Sequence, residues 1–312
     1  MPELPQREAL TSDVTIDGSN LDGFVLIDKP AGCTSHDVVN RWRKLAGTKR
    51  VGHLGTLDPM ATGLLIVMTG KATRLAQFYG ANAKTYHAEI AFGMVSDTYD
   101  IEGEIVHTGS PTPSRDTILS ALEKFRGRFA QLPPPVSAKK INGVPAYKLA
   151  RKQMPVELKP VEIEVRQLDV IRLDENKLQI AVTCSAGTYI RSIAHDLGVE
   201  LGCGAVLSRL RRSHSGEFDV ARARTLDVLT DLARGGRLPE AIIPAGQLLS
   251  HFPAEYYDVV TENRIRQGRD FRTSPFVVSS AAPFVRALSH SGRLIAIGQL
   301  KIPNLYHPSV VL

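Results

Sequence analysis

Cysteine is scarce in this chain: Cys33, Cys184 and Cys203 are the only three, and they show no C-x-x-C spacing. An odd, scattered set argues against a disulfide framework or a structural zinc site and points to a reducing, cytoplasmic setting. The nine histidines make no H-E-x-x-H or H-x-E…C-x-x-C pattern, which leaves a metalloprotease or a zinc deaminase without support. No metal or nucleotide-cofactor signature is present. Also missing is any apolar run approaching ~18 residues, and the first residues lack a charged-then-apolar start, so neither a membrane span nor export is expected. There is no internal repeat and no long low-complexity tract.

What is present is ordinary globular composition with a basic balance. At 312 residues the chain can hold one large domain and a small one. The net charge of +6 and the pI near 9.2 favour a polyanionic partner over a small neutral one.

In chain order, residues 1–21 are polar and without period, and are expected to form a loose leader. Gly23 to Ile27 reads as a strand ended by the turn Asp28-Lys29-Pro30-Ala31-Gly32. Ser35 is the expected N-cap of a helix with Val38, Val39, Trp42 and Leu45 on one face, closed by Gly47. Its other face starts a basic segment, Arg41 to Arg50. The stretch Gly52-His53-Leu54-Gly55-Thr56-Leu57-Asp58-Pro59-Met60-Ala61-Thr62-Gly63 then sets a single carboxylate, Asp58, in a loop of glycines ahead of a buried strand, Leu64 to Met68. A carboxylate at the mouth of a strand is costly to desolvate, so it calls for a cationic partner or a catalytic role. A plain turn aspartate is the other reading.

Thr73 to Tyr79 suggests a short helix, and Tyr86, Ala88, Ile90 and Phe92 alternate as a half-buried strand. Tyr86 is either a core tyrosine or a ring for stacking on a base. Ser114 precedes a helix, and Pro133-Pro134-Pro135 leads into a basic loop with Lys139 and Lys140. Two antiparallel strands surround Asp174-Glu175-Asn176, and the second runs into Gly187-Thr188-Tyr189-Ile190-Arg191. A helix starts there and stops at Gly202. Arg191 in its first turn opposes the helix dipole and therefore needs an anion nearby. Leu207 to Arg212 is a second basic segment. From about Leu249, short strand-like pieces (Phe276 to Val278, Val285 to Leu288, Arg293 to Ile297) behind a charged lead-in, Glu262 to Gly268, suit a small β module.

Taken together and in order, Asp28-Lys29-Pro30, Gly52 to Gly63, Lys84-Thr85-Tyr86, Pro133 to Arg151 and Gly187 to Arg191 resemble the TruB family of tRNA pseudouridine synthases. The likeness runs from about Gly23 to Leu312. It implies an α+β fold with a mixed, largely antiparallel central sheet flanked by helices. The expected divisions are a catalytic domain over 22–248, an RNA-binding insertion at about 104–152, and a PUA-like RNA-binding domain over 249–312. It implies isomerisation of uridine 55 in the T-arm of tRNA, without cofactor, metal, membrane or obligatory protein partner. Asp58 matches the catalytic aspartate, and Arg191 the arginine that pairs with it and is expected to lower its pKa. Tyr86 matches the stacking tyrosine. Tyr189 and Leu210 match pocket walls, Lys29 a supporting residue, Asp100 a uridine-contacting acid, and His53 the residue that holds the rearranged T-loop. Arg41 to Arg50, Lys139-Lys140 and Arg209 to Arg212, including Arg211 and Arg212, are expected to meet phosphates. Two positions depart from the family pattern: Val136 stands where an aromatic is common and Val206 where a histidine is. The rival readings are an RNA-folding protein with an incidental site and a guide-RNA-dependent synthase.

Overall fold

Continuous apolar runs, rather than alternating ones, mark the two strands on which this fold is built. Strands β1 (Gly23–Lys29) and β3 (Thr62–Thr69) are buried almost end to end, as expected when both faces of a sheet are covered. In the computed structural model, which describes residues 21–136, 140–141, 144–145 and 158–312, this is what happens. Val25, Ile27, Leu65 and Val67 face one core with helix α1 (Ser35–Ala46). Phe24, Leu26, Leu64, Ile66 and Met68 face a second core, closed by Leu288, Leu294, Ile297, Val310 and Leu312 from the C-terminal module.

The main sheet runs β14-β1-β3-β12-β4-β11-β10-β7, with β2 (Val51–Leu54) paired to β3 and β13 (Phe218–Asp219) to β12. Here β4 is Lys84–Phe92, β7 Gly127–Gln131, β10 Val161–Leu173, β11 Lys177–Cys184, β12 Ala205–Ser215 and β14 Ile242–Pro244. Its pairings are antiparallel except β3 with β12, which run parallel at Thr62–Arg211 and Gly63–Arg212. Helix α2 (Arg115–Leu122) begins at the expected cap, Ser114. Helix α3 (Ile190–Glu200) packs on β12, and α4 (Leu226–Arg234) follows. Two short pairs stand apart: β5 (Met94–Ser96) with β6 (Ile105–His107), and β8 (Lys140–Ile141) with β9 (Val144–Pro145).

The C-terminal module is a five-stranded sheet ordered β15-β17-β18-β19-β16. Its elements are β15 (Ala254–Tyr257), helix α5 (Val259–Arg266), β16 (Phe271–Arg272), β17 (Phe284–Ser289), β18 (Leu294–Ile302) and β19 (Leu305–Val311). Edge-to-face contacts of Phe78 with Phe252 and Phe284 join it to the 3₁₀ stretch that follows β3. No helix among the described residues is long and apolar enough to cross a membrane.

Several expectations change. The cap of α1 is Thr34, not Ser35: Thr34 and Asp37 form a reciprocal capping box. The Thr73 to Tyr79 helix is a 3₁₀ stretch over Gly70–Phe78. The charged lead-in at Glu262 lies in α5. Phe276 to Val278 is a turn rather than a strand, with Val278 buried and Phe276 exposed. Within the segment expected to be an RNA-binding insertion, β7 is the edge strand of the main sheet. Val206 is wholly buried in β12 opposite Ala91, where an imidazole would have to be desolvated.

Candidate active site

The loop between β2 and β3 carries Asp58, and five neighbours hold its backbone. Because Thr34 caps α1, the Ser35 hydroxyl is free to bracket Leu57: Oγ donates to Leu57 O at 3.0 Å and accepts from Leu57 N at 2.9 Å. The fully buried Lys29 donates from Nζ to Pro30 O, Pro59 O and Ala61 O at 2.8, 3.1 and 2.7 Å. Burial pulls its ammonium pKa below the usual lysine range. Gly32 N–H donates to Pro59 O, and Met60 N–H to the Glu102 carboxylate at 3.2 Å. Arg212 Nη2 donates to Gly55 O at 2.8 Å.

With its backbone fixed, the Asp58 side chain meets one cation. Arg191 Nη2 donates to Oδ1 at 3.1 Å, and Nε lies 3.0 Å from Oδ2 as an ion pair. The guanidinium, 5% exposed, also donates to Thr98 O from Nη1 and to Val136 O from Nη2, both at 3.0 Å. Asp100 Oδ2 stands 3.5 Å from Nη1. The anion that the helix dipole called for is therefore present twice. The expected fall in the Asp58 pKa is reversed: burial raises it, Arg191 pulls it back only in part, and Asp100 adds to the rise. Taking an ionised carboxylate out of water outweighs one partner that is itself shared with three other oxygens.

A cleft of 480 Å³ opens above this pair, lined by Leu57, Asp58, Lys84, Tyr86, Tyr189, Ile190, Arg191, Leu210 and Arg212 among others. Tyr86 is buried on β4, and desolvation pushes its phenol further above the ordinary value while Arg212 beside it opposes. Tyr189 caps α3 and is held by Gln131 on β7: its N–H donates to Oε1 at 2.8 Å and its carbonyl accepts from Nε2 at 3.0 Å.

Other expected residues lie differently. Asp100 is 3% exposed and does not line the cleft; it accepts from Thr98 Oγ1 at 2.7 Å and Glu102 N–H at 3.0 Å, and its carboxylate stands beside Arg191. Arg212 is 1% exposed, with Nε on Leu64 O at 2.8 Å, so it forms cleft wall rather than surface. The period of two along β12 carries this signal, since Arg212 shares a face with Leu210 while Arg209 and Arg211 point out. Arg211 is exposed and forked onto Asp28 at 3.0 and 2.8 Å. His53 sits on β2 outside the cleft lining, with Nε2 3.1 Å from Thr56 Oγ1. Burial lowers its pKa and favours the neutral ring. Lys139 lies outside the described residues.

Sequence reading missed Gln131, the Thr98 and Val136 carbonyls, and Lys84 as a cleft residue. It also missed a stack between Tyr99 and His195, 3.7 Å between centroids and 7° between planes. Tyr99 has φ 66°, a left-handed backbone unusual for a bulky residue. It ties the turn carrying Thr98 and Asp100 to the helix carrying Arg191.

Residues 43–190 match the family model for the TruB family pseudouridylate synthase N-terminal domain, and residues 191–250 that for the tRNA pseudouridylate synthase B C-terminal domain. The chain is 51% identical to the tRNA pseudouridine synthase B of Solibacter usitatus, covering 94% of this chain and all of that protein. To the protein of the same name from Aquifex aeolicus it is 37% identical over 90% and 96%. Among solved structures, a Cbf5-Nop10-Gar1 complex is similar with TM-score 0.68 and 26% identity, covering 91% of this chain and 80% of that one. An H/ACA RNP bound to a substrate RNA containing 2′-deoxyuridine has the same fold at TM-score 0.68 and 24% identity, with 94% and 86% covered.

Proposed function

The chain belongs to the TruB family of tRNA pseudouridine synthases, and on that premise we propose that its cleft converts uridine 55 in the T-arm of tRNA to pseudouridine, with Asp58 as the reacting carboxylate. The observation that carries this reading is that, among the described residues, Asp58 is the one carboxylate lining the cleft, held there by Arg191.

The reaction is an isomerisation. The bond from uracil N1 to ribose C1′ breaks, the base turns, C5 bonds to C1′, and the C5 proton is lost while N1 gains one. Attack on C1′, attack on the base and removal of a ribose proton all need the ionised carboxylate. Arg191 supplies it by opposing the effect of burial. A hydrolase would seat water between two carboxylates. Here Leu57, Ile190, Leu210 and the aromatic rings give the cleft apolar walls, which suits a reaction that water would divert. A uridine inside a folded T-arm reaches Asp58 only if extruded, at a cost of a few kcal/mol. Tyr86 is its stacking ring. The raised phenol pKa makes it a poor proton acceptor at neutral pH.

We assign catalysis to residues 22–248 and RNA binding to the module over 249–312. The enzyme acts on tRNA without guide or protein partner, a reading supported by the Pro133 to Arg151 segment. Site-resolved pseudouridine mapping on a bare tRNA transcript tests it, with conversion at uridine 55 expected. Asp58→Asn abolishes that conversion while tRNA binding stays within a few-fold. Retained turnover in Asp58→Asn removes Asp58 from the reaction, and modification only with added guide RNA favours the rival reading.

A further inference from the structure

Beyond Arg191, the cleft holds two more cations, and neither has yet been given a contact with substrate, although Arg212 also holds Gly55 O. Lys84 is 9% exposed and Arg212 1%. They converge over Gly55, where an added Cβ would stand 3.1 Å from Arg212 Nη1 and 3.2 Å from Lys84 Cε. Lys84 Nζ donates to Asn82 O at 2.9 Å. The Nε and Nη2 groups of Arg212 are occupied by the carbonyls of Leu64 and Gly55. Among the described residues neither cation has a carboxylate within ion-pair distance, and Asp58, the one carboxylate lining the cleft, is paired to Arg191. Two adjacent buried cations without a counter-charge are strongly unfavourable unless an anion completes them. Burial lowers the pKa of the Lys84 ammonium, and the neighbouring Arg212 charge adds to that lowering.

We propose that Lys84 and Arg212 form a phosphodiester subsite that holds the backbone phosphate beside the flipped uridine. Lys84 and Tyr86 are two residues apart on β4, so their side chains share a face and sit ~7 Å apart along the strand. Arg212 pairs across the sheet with Tyr86. The cleft thus brings together a carboxylate, a stacking ring and a cationic pair. That set suits the ribose C1′, base and backbone phosphate of one nucleotide. Gly55, at φ 69°, leaves open the space above both cations that any side chain would fill.

This inference rests on reading the cleft as the seat of the target nucleotide. Its test uses a T-arm hairpin RNA bearing an uncharged methylphosphonate at each phosphate flanking the target in turn. Binding is measured across a salt series for the wild type, Lys84→Met and Lys84→Arg. Lys84→Met is expected to reduce the slope of log K against log salt by roughly 0.7–0.9, one phosphate's worth. One methylphosphonate weakens wild-type binding and has no further effect on Lys84→Met, while Lys84→Arg restores the dependence. An unchanged slope, or Lys84→Met and methylphosphonate effects that simply add, overturns the subsite. If Lys84→Met fails to fold, the wild-type series still decides, because equal binding of all substituted RNAs overturns it. Loss of turnover in Asp58→Asn alongside such a negative result would leave the catalytic reading standing and remove only the phosphate subsite.

Discussion

Replacing Arg191 by lysine keeps the positive charge and removes the fork, which makes it the sharpest probe of how Asp58 is held. The guanidinium reaches both Asp58 oxygens, the carbonyls of Thr98 and Val136, and Asp100. A lysine ammonium is a point donor that cannot span that set from one rotamer. At least one of the carbonyls loses its donor, and each buried acceptor left unpaired costs about 1–3 kcal/mol of stability. Letting the carboxylate drift from its fixed position costs about 2–3 kcal/mol in the transition state, or roughly 10²-fold in kcat at 1.36 kcal/mol per decade. The variant also moves the pH profile. The Asp58 pKa is already raised by burial and restrained by Arg191. Activity requires the ionised form, so it is present above that pKa and lost as pH falls through it. A weaker restraint lifts the pKa further and shifts the acid limb of the profile to higher pH. Single-turnover release of tritium from C5-labelled uridine in tRNA, followed across pH with saturating enzyme, reads both effects. A kcat within two-fold of wild type, with the acid limb unmoved, would refute the idea that the fork orients and ionises Asp58.

Three further outcomes are expected. Tyr86→Phe keeps more activity than Tyr86→Leu, because the ring and not the hydroxyl serves the base; equal, complete loss in both would instead make the phenol the C5 proton acceptor. Gly63→Ala lowers stability by about 1–3 kcal/mol in chemical denaturation, since its Cβ would lie 2.3 Å from Arg212 O at a backbone φ of 97°. A midpoint unchanged from wild type would mean that β3 and β12 can separate without cost. Affinity for tRNA falls with salt at roughly 0.7–0.9 log units per phosphate contacted, Arg209 and the basic face of α1 among the contributors. A flat response measured by filter binding speaks against phosphate contact altogether.

The resemblance of the ordered motifs to the TruB family is what groups Asp58, Tyr86 and Arg191 as one constellation. The local signals alone, a glycine-flanked carboxylate, a tyrosine on an apolar strand face and a cation at a helix start, leave a turn aspartate and a core tyrosine equally open. Strand periodicity likewise marked β4, β10 and β11, because a period of two survives without knowledge of neighbours, and continuous apolar runs marked β1 and β3. What neighbours decide was hidden. Whether Arg212 faces RNA or protein depends on which face of β12 is covered, and the charge run Arg209 to Arg212 disguised an alternation that Leu210 reveals. That Asp100 pairs with Arg191 is likewise hidden, because only the turn around Tyr99 brings the two together. The direction of the Asp58 shift was also a tertiary matter, since a sequence names a counter-ion but not the desolvation it must overcome. The chain by itself determined which groups the site contains; only packing decided which remain free for substrate and which are spent on holding the loop of Asp58.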